Sequence, residues 1–130
     1  MHAPEFLQIG QVAERTELSL KTIRHYDEVG LVQPSARSAG GFRLYTDTDV
    51  DRLLVIRRMK PLGFTLAEMK QLLDSLDTLA DPAADPARND QARGFVDEMH
   101  AQARDRCATL ARQLAYAEEF TDLLAAHTRR

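Results

Sequence analysis

Apolar residues along the chain keep changing their spacing, and each change predicts a new element. Between Gln8 and Glu14, Ile9, Val12 and Ala13 recur at i, i+3, i+4, the rhythm of one face of a short helix. Thr16, Glu17 and Leu18 interrupt it. Ser19 follows as an N-cap whose hydroxyl can accept from a free backbone N–H. Leu20 and Ile23, with Tyr26 or Asp27, then set the inward face of a second short helix. Lys21, Thr22, Arg24 and His25 are left facing outward. Gly30 is placed to close this helix in a left-handed conformation.

The period changes over residues 32–46, VQPSARSAGGFRLYT. Pro34 stops any helix, and Gly40-Gly41 permits a tight turn. Phe42, Leu44 and Thr46 alternate with Arg43 and Tyr45. This pattern predicts a β-hairpin, the wing of a winged helix. Thr46 and Asp49 then form a variant capping box. It opens a third helix with acidic Asp47, Asp49 and Asp51 near its start and basic Arg57, Arg58 and Lys60 at its end, complementing the helix dipole. Pro61 and Gly63 end it. Thr65 and Glu68 make a second capping box, and Leu66, Met69, Leu72, Leu73 and Leu76 form the apolar stripe of a fourth helix.

Residues 79–90, LADPAADPARND, offer nothing to bury and read as a linker. From Gln91 to about His127 there is no Pro and one Gly. Val96, Met99, Ala103, Cys107 or Leu110, Leu114, Ala117, Thr121 and Leu124 recur at spacings of mainly three and four, a heptad-like seam. At 1.5 Å per residue this helix spans on the order of 50 Å. No other element matches its length, so the seam is expected to bury against a second copy. The expected organisation is a mainly α winged helix-turn-helix domain over residues 1–78, with residues 1–5 a loose lead-in. A linker over 79–90 and a dimerisation helix with a short tail over 91–130 follow.

Composition changes this picture in three places. The 130 residues carry a net charge of −3, which alone would argue against a nucleic-acid partner. The charge is uneven: residues 1–70 are at +1 and residues 71–130 at −4. Residues 37–60 hold six basic side chains against three acidic ones. The single cysteine excludes an intramolecular disulfide framework and fits a reducing cytoplasm. Neither a secretory signal nor a run of the roughly 18–20 apolar residues needed to span a membrane is seen, so a cytoplasmic protein without membrane contact is expected.

The stretches IGQVAERTELSLKTIRHYDEVGLVQPSARSAGGFRLYTDTDVDRL and RRMKPLGFTLAEMKQLL, followed by one long helix, resemble the MerR family of bacterial transcription regulators. The resemblance implies a two-fold homodimer joined by an antiparallel coiled coil of the long helices. Each recognition helix would enter a major groove of double-stranded promoter DNA, with the wing against the nearby backbone. It further implies a pseudo-palindromic operator between promoter elements spaced too widely for RNA polymerase. The dimer would bend and untwist that spacer, so control rests on DNA shape.

By that resemblance Ser19, Lys21, Thr22, Arg24, His25 and Tyr26 lie on the recognition helix, Arg43 and Tyr45 in the wing, and Lys60 near the backbone. Arg24 is the best candidate for a bidentate contact to a guanine edge or phosphate. Tyr26 and Tyr45 have two readings, phosphate contact or helix–wing packing. Lys60 also has two, backbone contact or helix capping. Glu17 stands where many members carry Gly, and Pro61 shortens the approach to Gly63.

The effector is not written in the sequence. Metal-sensing members carry Cys at the start of the long helix, where this chain has Arg88-Asn89-Asp90, and the iron–sulfur type needs four. Neither metal nor cofactor is expected. Cys107, with His100 seven residues earlier, reads as seam filler before it reads as a redox or metal site. A small-molecule groove lined by Leu76, Leu79, Phe95, Met99 and Phe120 is a minor expectation beside core and dimer packing. No motif for nucleophilic, phosphate-binding or metal catalysis is present, so no enzyme is expected. The rival readings are an effector-independent repressor or architectural DNA-binding protein, and a coiled-coil protein-interaction module.

Overall fold

The computed structural model describes residues 5–128; most of the expected lead-in and the last two residues of the tail lie outside this range. The chain forms two compact units that meet at Asp74 and Ser75. The first contains β1 (Leu7–Gln8), α1 (Ile9–Thr16), α2 (Leu20–Glu28), β2 (Ala36–Arg37), β3 (Arg43–Tyr45) and α3 (Asp47–Met59). A 3-10 turn (Lys60–Leu62) and the start of α4 (Leu66–Ala80) complete it. The second holds the end of α4 and the long α5 (Pro86–Thr128).

The helix starts are set by local chemistry. Ser19 Oγ accepts from the Thr22 amide at 3.0 Å. Thr46 and Asp49 close their box at 3.2 and 2.9 Å. Thr65 and Glu68 do so at 2.9 and 3.1 Å. Each cap satisfies backbone donors that have no intrahelical partner. Gly30 and Gly63 take left-handed conformations just beyond their helices.

The apolar rhythm becomes the core of the first unit. Val12 of α1, Ile23 and Tyr26 of α2, and Val50, Leu53 and Ile56 of α3 are buried with Leu31, Val32 and Tyr45. Enclosing a side chain the size of Ile23 stabilises the fold by about 1.5–3 kcal/mol. Asp49 is buried too, and its Oδ2 accepts from Ser35 Oγ at 2.6 Å and the Ser35 amide at 3.2 Å. The cap of α3 therefore also anchors the loop entering the wing.

The wing differs from the expected two-stranded hairpin. The sheet is three-stranded and antiparallel, with β3 central between β1 and β2. Leu7 faces Tyr45, and Arg37 faces Arg43. A two-residue strand is too short to show alternation, so β1 has no sequence signature. The linker also differs: α5 begins at Pro86, and only residues 81–85 separate it from α4. Proline suits the first turn of a helix, where its missing N–H has no partner to lose. The Asp85 carboxylate accepts from the Arg88 amide at 2.8 Å.

The α1–α2 turn places Glu17 at φ 59°, in the left-handed region that favours glycine. Arg57 of α3 braces it, donating to the Thr16 carbonyl at 2.7 Å and lying 3.5 Å from the Glu17 carboxylate. Relief of a left-handed side chain is worth roughly 1–2 kcal/mol, less the chain entropy that glycine adds in the unfolded state. Glu17→Gly is expected to stabilise the domain by about 0.5–1 kcal/mol, read as a raised denaturant midpoint; a lowered midpoint would mean the Arg57 brace outweighs the strain.

Tyr45 is fully enclosed, and its hydroxyl has no hydrogen-bond partner among the described residues. Burial pushes its phenol above the ordinary tyrosine pKa, with Asp27 and Asp49 adding to the shift and Arg43 and Arg37 opposing it. The folded state thus keeps a proton that the unfolded chain loses near pH 10. The resulting stability is complete below that pH and is lost as pH rises through the higher folded value. Tyr45→Phe should remove this alkaline loss and, at neutral pH, raise stability by about 1 kcal/mol by deleting an unpaired buried hydroxyl. Denaturant melts at pH 7 and 10.5 check both; equal alkaline loss in the two proteins would assign it elsewhere.

Candidate nucleic-acid interface

The surface of α2 follows from its division into two faces. Ile23, Tyr26 and Asp27 point inward and are buried, while Lys21, Arg24 and His25 are exposed and Thr22 is half-buried. Ser19 and Thr22 satisfy each other, Oγ to Oγ1 at 2.9 Å, at the exposed start of the helix. Among the described residues the side chains of Lys21, Arg24 and Lys60 form no hydrogen bond or ion pair. Their charges are open to solvent.

The fold brings Lys60 to this helix. A concavity of about 470 Å³ is lined by Lys21, Thr22, Arg24, His25, Tyr26, Glu28 and Lys60. A second, of about 310 Å³, is lined by Gln8, Ile9, Gly10, Arg24, Gly41, Phe42 and Arg43. Arg24 borders both, so its unpaired guanidinium lies between the Lys60 turn and the wing. The arrangement offers open cations beside polar groups on the exposed face of a short helix, which suits a polyanion with readable edges.

Two wing residues need correction. Arg43 is not a free cation: its Nε donates to Asp27 Oδ2 at 2.7 Å. That hydrogen bond holds the Arg43 guanidinium above its ordinary pKa, against the opposing pull of burial. Tyr45 is enclosed in the core and cannot present its hydroxyl to a phosphate. Alternation along β3 told the sides of the strand apart, but not that a carboxylate and the core wait there. Tyr26 is buried as well, at 3% exposure, so packing is its main work.

Phe42 is the wing residue that sequence reasoning missed. It is 74% exposed beside a turn in which Gly41 has φ 83°. The ring lies across Gly40, where a Cβ would stand 3.1 Å from its Cε2. A side chain at Gly40 would crowd the ring and push it aside by a few tenths of an ångström, and Gly41 supplies the left-handed backbone of the turn. The usable signal was an aromatic residue directly after two glycines. Asp27 was missed as a partner of the wing because only tertiary structure joins it to Arg37 and Arg43.

The long helix also departs from its expected seam. Met99 is buried within the protomer, and Val96 and Ala103 are half-buried. Met99 is thus not open to a second copy in this structure. From Cys107 to Thr128 every residue is exposed, including Leu110, Leu114, Ala117, Thr121 and Leu124. In one chain Phe120 does not join the other residues expected to line the effector groove. Phe120 is 60% exposed and lies about 37 Å along the helix from Phe95. Leu76 is exposed, and Leu79 and Phe95 are half-buried. His100 and Cys107 are both exposed, and no three metal-ligating side chains converge among the described residues. No described helix is long and apolar enough to cross a membrane.

The family model for MerR HTH regulatory proteins matches residues 7–76, and a second, described as MerR, DNA binding, matches residues 50–125. The chain is 39% identical over 111 residues to the HTH-type transcriptional activator TipA of Streptomyces coelicolor, covering 85% of this chain and 39% of that protein. It therefore spans well under half the length of that relative. The HTH-type transcriptional regulator CueR of Vibrio cholerae is 38% identical over 109 residues, covering 84% of this chain and 69% of CueR. Among solved structures, the N-terminal part of the Bacillus subtilis multidrug transporter activator, MtaN, superposes with a TM-score of 0.50 at 34% identity. That match covers 83% of this chain and 97% of MtaN. The helix-turn-helix and its three-stranded wing fall inside the first matched region, α4 and most of α5 fall inside the second, and the chain belongs to the MerR family of helix-turn-helix transcription regulators.

Proposed function

We propose that the chain binds a pseudo-palindromic promoter operator as a homodimer and regulates transcription by deforming the DNA between the two half-sites. The observation that carries this reading is the set of cations Lys21, Arg24 and Lys60, unpaired among the described residues, around one helix face. Paired surface charges are already neutralised; these three remain available to phosphates and base edges. Ser19, Thr22 and His25 add hydroxyl and imidazole groups on the same helix. Phe42 supplies an apolar wing tip that fits against sugar or a groove wall.

The second copy follows from α5. A helix of 43 residues whose second half, from Cys107 onward, leans on none of the described residues needs a partner to cover Leu110, Leu114 and Leu124. A second α5 running antiparallel supplies one of equal length and the same apolar spacing. A two-fold dimer then presents two α2 helices to two half-sites. If the protein seats both half-sites only on bent or untwisted DNA, binding energy is converted into a change of promoter shape. RNA polymerase is the partner that reads that shape.

Arg24→Ala should weaken binding to a selected duplex by about 10- to 100-fold without changing the sedimentation of the free protein. Unchanged affinity removes Arg24 from the interface. Leu110→Asp with Leu114→Asp should move the free protein from dimer to monomer and weaken DNA binding, because paired half-sites then act separately. Sedimentation velocity checks it, and a double variant that stays dimeric places the subunit interface elsewhere.

A further inference from the structure

We infer that Asp27 is a positioning residue of the DNA interface: it locks the wing to the recognition helix and so sets where the wing tip meets DNA. The inference rests on the DNA-binding reading above. Asp27 belongs to α2, three residues after Arg24, and is buried at 8% exposure. Its Oδ2 accepts from Arg43 Nε at 2.7 Å and from Arg37 Nη2 at 3.2 Å. The two arginines come from β2 and β3, the strands joined by the wing turn, where they face each other across the ladder. One carboxylate on the reading helix thus holds both strands at the wing's base.

The linkage continues to the tip. Arg37 Nη1 donates to the Gly41 carbonyl at 3.1 Å. Gly41 is the left-handed residue of the wing turn, and Phe42 follows it. The path from Asp27 through Arg37 to Gly41 therefore spans the hairpin from base to turn. Strands of two and three residues are too short to hold a hairpin rigid by themselves. With the clamp, Arg24 and Phe42 move as parts of one body. Without it, Phe42 keeps its chemistry but loses its fixed distance from α2. Charge-assisted bonds to a shared carboxylate are stronger and more directional than neutral ones, and an amide in its place retains the shape without the charge.

The test uses the full chain and the duplex of highest affinity recovered from a random-sequence pool by the wild-type protein. Hydroxyl-radical footprinting reads the protection from α2 and from the wing separately, and Phe42→Ala identifies the wing's share. Asp27→Asn is expected to lower affinity at least tenfold, to lose the wing's protection and to keep that of α2. Phe42→Ala should add nothing further in that background. Arg37→Gln, at a half-exposed side chain, should produce a smaller loss at the same flank.

Wild-type affinity and footprint in Asp27→Asn would overturn the inference. So would equal loss of both protections, or a Phe42→Ala effect that adds in full. If Asp27→Asn fails to fold, Arg37→Gln with and without Phe42→Ala decides on the same footprint. A wild-type protein that selects no duplex removes the DNA reading itself, an outcome distinct from all of these.

Discussion

One carboxylate oxygen ties together the two elements that make this surface. Asp27 Oδ2 accepts from Arg43 and Arg37 while the rest of the residue is enclosed beside Ile23 and Tyr26 in α2. A buried carboxylate without partners would be strongly destabilising. Here its cost is offset by guanidinium groups that the wing must bring, so the fold of the hairpin and the burial of the α2 inner face depend on each other. The same exchange leaves the outer face clear: the wing's arginines are occupied inward, while Lys21, Arg24 and Lys60 stay open to solvent.

The rest of the domain supports that helix from behind. Thr16 is fully buried and donates to the Val12 carbonyl at 2.8 Å. Its own carbonyl accepts from Arg57, which links α3 to the turn where Glu17 takes its left-handed conformation. The start of α2 is therefore held by a cap at Ser19 and by a brace from α3. Asp49 performs a parallel task for the loop entering the wing, accepting from Ser35 and Thr46 while it caps α3. Local caps and long-range braces share the same residues, and together they hold α2 in place.

Much of this was legible because it is local. The caps at Ser19, Thr46 and Thr65, the closing glycines and the inward rhythm of α2 all depend on residues within one turn of each other. The three-stranded sheet was not, since Leu7 and Gln8 meet β3 only after the chain has folded back. The ion pairs of Asp27 were hidden for the same reason, and with them the true work of Arg43. Alanine, aspartate and proline over 79–90 read as a linker, yet Pro86 at a helix start and Asp85 as its cap belong to α5. In the long helix the spacing of the seam was plain. What spacing could not tell is which turns are already covered at Met99 and which remain open from Cys107 onward.

We propose that open cations on α2 and the Lys60 turn meet DNA phosphates in two copies of the chain. The salt dependence of wild-type binding to its selected duplex tests this most directly, because each neutralised phosphate contributes roughly −0.9 to the slope of log affinity against log salt. Two protomers, each engaging about three phosphates, predict a slope of about −5 with two chains bound per duplex. A slope near zero, or one chain per duplex at saturation, would rule out this mode of binding.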